Sequence, residues 1–213
     1  MSARDDILAA VRQGLGAERV DEAAMRAQAA ALLADPDEIR PALAGADPVS
    51  AFVAKCALPA LGMTLARVAG WDGLPAALRD YLDSHDLPHE VAVTPDARLA
   101  ALAGAGIATR SDCAADQAVA VSVADWGIGE TGSVAIHSAP DQPILHAFLP
   151  RHWVVVVEES KILPYLDDYA PKTSPAPRNA VMITGSSGTT DIEGVFVRGA
   201  HGPGFVHVLL IGG

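Results

Sequence analysis

The chain has 213 residues, with 15 Lys+Arg against 26 Asp+Glu, a formal charge of −11. Half of it is hydrophobic and 19% is charged, which excludes wholesale disorder and predicts one domain or slightly more with a core of its own. The acidic balance argues against a nucleic-acid binder and against a protein held on anionic membranes, because both need a positive surface.

Residues 1–45 are expected to form a helical N-terminal extension. Ile7, Leu8, Val11 and Leu15 recur at spacings of three and four, Asp21 to Ala34 continues the style, and Asp35-Pro36 punctuates it. Such helices either lie on a domain or serve as an arm for a partner. Met1 to Asp6 meets two acids at once and has no basic, then apolar, signal pattern. The densest apolar run, Trp153 to Val157, falls far short of the roughly 20 residues a bilayer needs. No membrane span is expected, and a cytoplasmic location is.

Residues 46–213 are predicted to form an α/β domain. Met63–Ala69 reads as a strand. Asp72 then offers a cap to a helix reaching Ser84, with Leu74, Leu78 and Leu82 on one face. Pro88–Val93 is a second strand. Thr94-Pro95-Asp96 supplies a capping hydroxyl, an N1 proline and an early acid for a helix that carries Leu99 and Leu102. Ala118–Val123 follows as a strand, and the strand–helix alternation points to parallel pairing. The second half is richer in strands: Ser133–His137, Trp153–Val157, Ala180–Thr184, Val195–Arg198 and Phe205–Ile211. Val154 to Val157 is apolar without alternation, as a strand covered on both faces requires. The prolines of Lys172 to Pro177 mark a loop that cannot pair in a sheet. The whole is a mixed, largely parallel sheet flanked by helices.

Cys56 and Cys113 are the only cysteines. An iron–sulfur cluster ordinarily takes four protein ligands, so this chain cannot hold one alone, and no Cys-x-x-Cys pair offers zinc a site. Small buried hydrophobes is the plainer reading of both.

Four places carry candidate chemistry. Between two strands, Ala124-Asp125-Trp126-Gly127-Ile128-Gly129-Glu130-Thr131-Gly132-Ser133 combines three glycines, two carboxylates and two hydroxyls. Loops at strand carboxyl ends form ligand crevices in parallel sheets, which makes Glu130 a candidate base or nucleophile, against the alternative of a tight turn with a solvated acid. After the strand ending at Thr184, Gly185 to Glu193 offers amides and the hydroxyls of Ser187 and Thr189 to an anion, with Asp191 and Glu193 as cation partners or caps. It is neither a Walker A loop nor a dinucleotide fingerprint. In Gly199-Ala200-His201-Gly202-Pro203, a turn explains the glycines but not His201, an imidazole among glycines and free to approach a ligand. Among His137, His146, His152 and His207 no metal pair occurs, and His85 and His89 have the i, i+4 spacing but Leu87-Pro88 between them breaks the helix that would align them. His207 reads as a satisfied strand residue.

Four segments in one order carry a family likeness: Glu130-Thr131-Gly132-Ser133, Leu149-Pro150-Arg151-His152, Ser187 through Glu193, and Gly199-Ala200-His201-Gly202-Pro203. From about Met63 onward the chain resembles the lactate-utilization (LUD) domain family and, within it, the lactate utilization protein C family. It departs from the family pattern at Ser133, commonly Thr, at Gly188, often Arg, and at Ala200, usually Val. The resemblance implies a fold similar to the sugar-phosphate isomerase and CoA-transferase superfamily. It also implies a cytoplasmic part in oxidising L-lactate to pyruvate beside iron–sulfur partner proteins, with no cofactor in this chain. Glu130 would be the catalytic candidate. Gly129, Thr131, Gly132, Ser187, Thr189, Asp191, Glu193, His201 and Gly202 would line a site for a small organic acid or phosphate-bearing ligand. The alternative is a free-standing CoA-transferase-like or isomerase-like enzyme working through Glu130.

Overall fold

Four consecutive valines with no polar residue between them must be covered on both faces, and the computed structural model of the protein puts them at the centre of a parallel sheet. It describes residues 2–15, 21–35, 37, 40–139, 142–173 and 175–212; Met1, Pro36 and Ser174, named above, lie outside them. The chain divides into two units, residues 1–42 and 43–213. The first contains α1 (Ala3–Gly14), capped by a Ser2/Asp5 box, and α2 (Glu22–Leu33), capped by Asp21. Neither helix buries a side chain.

The second unit begins with α3 (Pro48–Cys56), which the sequence reading left unassigned. Asp47 accepts from the Val49 and Ser50 amides while Ser50 closes a capping box, and Pro48 takes the first turn. Next come β1 (Met63–Val68), α4 (Leu74–Ser84), β2 (Glu90–Val93), the short α5 (Ala101–Gly104), β3 (Ala108–Arg110), β4 (Val119–Val123), β5 (Trp126–Ile128), β6 (Ser133–His137), β7 (His152–Glu158), β8 (Ile162–Leu163), β9 (Ala180–Ile183), β10 (Gly188–Thr190), β11 (Phe196–Arg198) and β12 (Phe205–Ile211). Six strands form a sheet in the order β1-β12-β7-β4-β2-β3, every pair parallel. A second sheet, β8-β5-β6-β9, is mostly antiparallel, and β10 with β11 makes a two-stranded ribbon.

Alternation along β7 shows how the layers meet. Val154 and Val156 face α4 and α5 through Leu78, Leu82, Leu99 and Leu102. Trp153, Val155 and Val157 face α3 and the second sheet through Phe52, Val134 and Ile136. The expected α/β fold with a largely parallel sheet is what the chain adopts. Two capping expectations fail locally. Asp72 sits in a tight turn, and α4 starts after Gly73 without a side-chain cap. Asp96, not Thr94, caps the turn that leads into α5, through the Arg98 amide.

Where β7 and β12 enter the sheet, His152 and His207 are both 7% exposed. Tyr81 of α4 hydrogen-bonds His152 Nδ1 at 2.9 Å and stacks on His207, whose Nδ1 bonds Thr64 Oγ1 at 2.7 Å. Burial pulls both imidazoles down to about 4; His85 adds like-charge repulsion to each, and Arg151 to His152. An unfolded histidine titrates near 6.5, so between that value and about 4 the unfolded chain binds more protons than the folded one. Stability is therefore full above that window and falls as pH drops through it. Urea midpoints should decline from pH 7 to 4.5, above the range of the carboxylates. His152→Phe with His207→Leu should flatten the decline; an unchanged slope would contradict this.

Candidate functional site

The glycines around Glu130 are explained by close packing. A side chain at Gly129 would meet the Pro48 carbonyl oxygen at 2.8 Å, and one at Gly132, where φ is +72°, would meet Lys55 Cβ at 2.9 Å. Both glycines thus let the β5–β6 turn approach α3. Glu130 is half-buried; its amide donates to the Pro164 carbonyl, and its carboxylate accepts the Leu166 amide at 3.1 Å. Thr131 Oγ1 lies 2.6 Å from Ser133 Oγ, which lies 2.5 Å from Thr184 Oγ1. This hydroxyl chain joins the turn to the start of the Gly185–Ser187 segment.

That segment is itself clamped. Gly185 has φ +85°, and a Cβ there would lie 2.3 Å from the Leu61 carbonyl oxygen, which accepts the Ser186 amide at 2.8 Å. The Ser187 amide donates to the Pro203 carbonyl, the Ser187 carbonyl accepts the Gly199 amide, and Ser187 Oγ accepts the His201 amide at 3.3 Å. Two motifs separated in sequence are stitched into one wall. Ser187, Gly188, Thr189, His201 and Gly202 border a cleft of about 390 Å³ with Phe148. On the far side of Phe148 and His201 lies a second cleft of about 310 Å³, which adds Arg151 and Asp116.

Arg151 is the residue that sequence reasoning quoted but did not assign. Parallel pairing sets His152 opposite Phe205, so the residue before β7 and the glycine loop before β12 reach the same edge. The guanidinium groups of Arg151 and Arg198 lie 5.6 and 5.5 Å from the Phe205 ring. Neither forms an ion pair among the described residues. Arg151 and His201 thus border one cleft, beside Asp116, and the Ser187–Thr189 loop borders the neighbouring one. A guanidinium in such a position has the chemistry to make charge-assisted hydrogen bonds to an anion.

The structure does not bring every candidate here. Asp191 Oδ1 accepts the amides of Glu193 and Val195, so it caps the exposed β10–β11 turn; Glu193 is exposed in that turn. Glu130, Asp191 and Glu193 border neither cleft. The cleft also sits at the amino ends of β4, β7 and β12, opposite the carboxyl edge from which the sequence argument began. A separate relay went unread: His137 Nε2 lies 2.6 Å from Tyr169 Oη, and Asp125 Oδ2 accepts the His137 amide. Cys56 is fully buried, and burial pushes its thiol up to about 12. No three His, Cys, Asp or Glu side chains are placed to hold a metal among the described residues.

A sequence model of the LUD domain matches residues 61–211. Lactate utilization protein C of Geobacillus thermodenitrificans (strain NG80-2) is 32% identical over 98 residues, 42% of this chain and 41% of that protein. Lactate utilization protein C of Geobacillus kaustophilus (strain HTA426) is 33% identical over 98 residues, with the same shares. The matches thus span about two fifths of the length of these relatives. A DUF162 family protein from Deinococcus radiodurans, solved by crystallography, has the same fold. Its TM-score is 0.56 at 15% identity, covering 77% of this chain and 96% of that one.

Two outcomes follow. Arg151→Gln should weaken binding of acetate and of inorganic phosphate by about tenfold or more, since a charged hydrogen bond is worth about 1.5–3 kcal/mol; titration calorimetry reads it, and equal affinities would remove Arg151 from the site. Gly185→Ala, which sets a Cβ against a carbonyl at positive φ, should cost about 1–3 kcal/mol of unfolding free energy. A wild-type denaturation midpoint would show that the loop gives way.

Proposed function

The chain belongs to the LUD domain family, and from that premise we propose that it is a component of an L-lactate utilization system. In this reading it is an accessory subunit of the oxidation of lactate to pyruvate and carries no redox centre of its own. The observation that carries the reading is its likeness to proteins named lactate utilization protein C. Oxidising the secondary alcohol of lactate to a ketone releases two electrons and two protons; in this reading iron–sulfur partner proteins take the electrons and solvent takes the protons. Two cysteines, one of them a buried thiol, fit a division of labour in which the clusters sit on those partners. No helix of the described residues is long and apolar enough to cross a membrane.

The cleft bordered by Arg151 and His201 is the place for the carboxylate of a small organic acid. Charge-assisted hydrogen bonds would hold the acid while its electrons leave through the partners. Glu130, engaged with the Leu166 amide, acts in this reading as the brace of the β5–β6 turn.

The test is affinity capture of the tagged full chain from lactate-grown native cells, with L-lactate oxidation assayed on the eluate. Co-elution of iron–sulfur proteins together with activity is expected. A chain that elutes alone, from a strain whose deletion mutant grows normally on L-lactate, would overturn the proposal.

A further inference from the structure

The groove between α4 and the edge strand β1 is a cavity of about 380 Å³. A water molecule takes about 30 Å³ of liquid, so the space holds about a dozen waters or a small organic compound. Helical spacing sets one wall. Ala77, Asp80, Tyr81 and Ser84 recur at intervals of three and four along α4, and His85 follows as its C-cap. Strand register sets the other wall, because β1 pairs with β12 so that Thr64 lies beside His207. The backbone of β12 is paired on both sides, with β1 and with β7, so His207 meets the groove through its ring.

His207, expected as a satisfied strand residue, is satisfied at one nitrogen only. The residue is 7% exposed, and Nδ1 lies 2.7 Å from Thr64 Oγ1. Nε2 has no hydrogen-bond partner among the described residues, yet it is not sealed from solvent as both His146 nitrogens are. The Thr64 hydroxyl can accept from Nδ1–H, which makes Nε2 an acceptor. Burial pulls this imidazole down to about 4, so near neutral pH it is uncharged and does not repel a cation. His85 is oriented by the backbone. Its Nδ1 lies 2.9 Å from the Tyr81 carbonyl oxygen, which can only accept. Nδ1 therefore carries the proton, and the neutral ring presents Nε2 as a bare acceptor. The Tyr81 ring lies 4.3 Å from both imidazole centroids and fixes one against the other.

The charges around these acceptors select the ligand. Asp80 is exposed, and among the described residues its carboxylate has neither a cation nor a hydrogen-bond donor for a partner. Arg67 also borders the groove, but its Nη1 donates to Glu159 Oε1 at 2.5 Å, so its charge is already met. An anion would face Asp80 with no free guanidinium beside it. A metal ion would lack a ligand set, since no three His, Cys, Asp or Glu side chains are placed to hold one among the described residues. A primary ammonium supplies what the wall lacks. Its N–H groups can donate to the carboxylate and to the imidazole nitrogens, and its charge offsets that of Asp80. Ala66 and Ala77 give its methylene groups an apolar border.

We propose that the groove between α4 and β1 binds a small primary alkylammonium compound through the Asp80 carboxylate, His85 Nε2 and His207 Nε2. It is a second site, separate from the anion cleft and independent of the lactate reading. The full chain, isotope-labelled in its histidine rings, is titrated by NMR at constant ionic strength and about pH 8, where a free imidazole is neutral. The probes are butylamine, ethanolamine and putrescine. Butanol and tetramethylammonium, a cation with no N–H donor, are the controls. At least one primary amine should shift the His85 and His207 ring resonances saturably, while both controls leave them in place. Asp80→Asn, a change at an exposed position, should weaken that amine about tenfold, as the loss of a charge-assisted hydrogen bond does. His85→Phe keeps a ring beside Tyr81 but has no acceptor, and should weaken it about fivefold. Ring resonances that ignore all three amines, or that tetramethylammonium shifts equally, would overturn the proposal. So would an affinity unchanged in either variant.

Discussion

The parallel pairing of β12, β7 and β4 is the constraint on which the rest of the molecule depends. β7 is buried on both faces, so its register with its neighbours cannot slip without exposing one apolar set. That register decides more than the core. It sets His152 beside Phe205 and brings Arg151 level with the glycine-rich loop that precedes β12. The cation-lined cleft is thus a by-product of how the central valines pack. Because the cleft lies where three strands begin, it inherits the rigidity of the sheet.

A second constraint is the closeness of backbone to backbone. Gly129 and Gly132 admit α3, and Gly185 admits the Leu61 carbonyl. The glycine-rich segments therefore serve first to let layers meet, and the hydroxyls between them form the chain from Thr131 through Ser133 to Thr184. Through that chain the β5–β6 turn braces the loop that carries Ser187. In the functional reading above, Glu130 is a structural neighbour of the cleft and not one of its walls.

Much of the fold was legible in the sequence, and the reasons are physical. Apolar runs and helical spacing located β1, α4, β2, β4, β6, β7, β9 and β12, because each buries a face that needs an unbroken pattern. What stayed hidden was short or rested on distant partners: β3, β5, β8 and β10 have only two or three residues each. α3 went unread although Asp47-Pro48 and Ser50 carry a full capping signal. At the site, the Ser187 and His201 loops were visible by composition. Arg151 was not, because 50 residues separate it from His201 and only strand register joins them. Thr94 was misread for a related reason: two capping residues competed, and the backbone chose Asp96.

In the functional reading proposed above, strand register, acting through Arg151 and the His201 loop, builds a site for a small carboxylate at the amino edge of the sheet. A crystal structure of the full chain grown with L-lactate tests this most directly. The carboxylate of lactate should be bound between the Arg151 guanidinium and the Gly199–Gly202 loop that carries His201. Lactate seated instead against Glu130, with the Arg151 cleft holding only solvent, would contradict it.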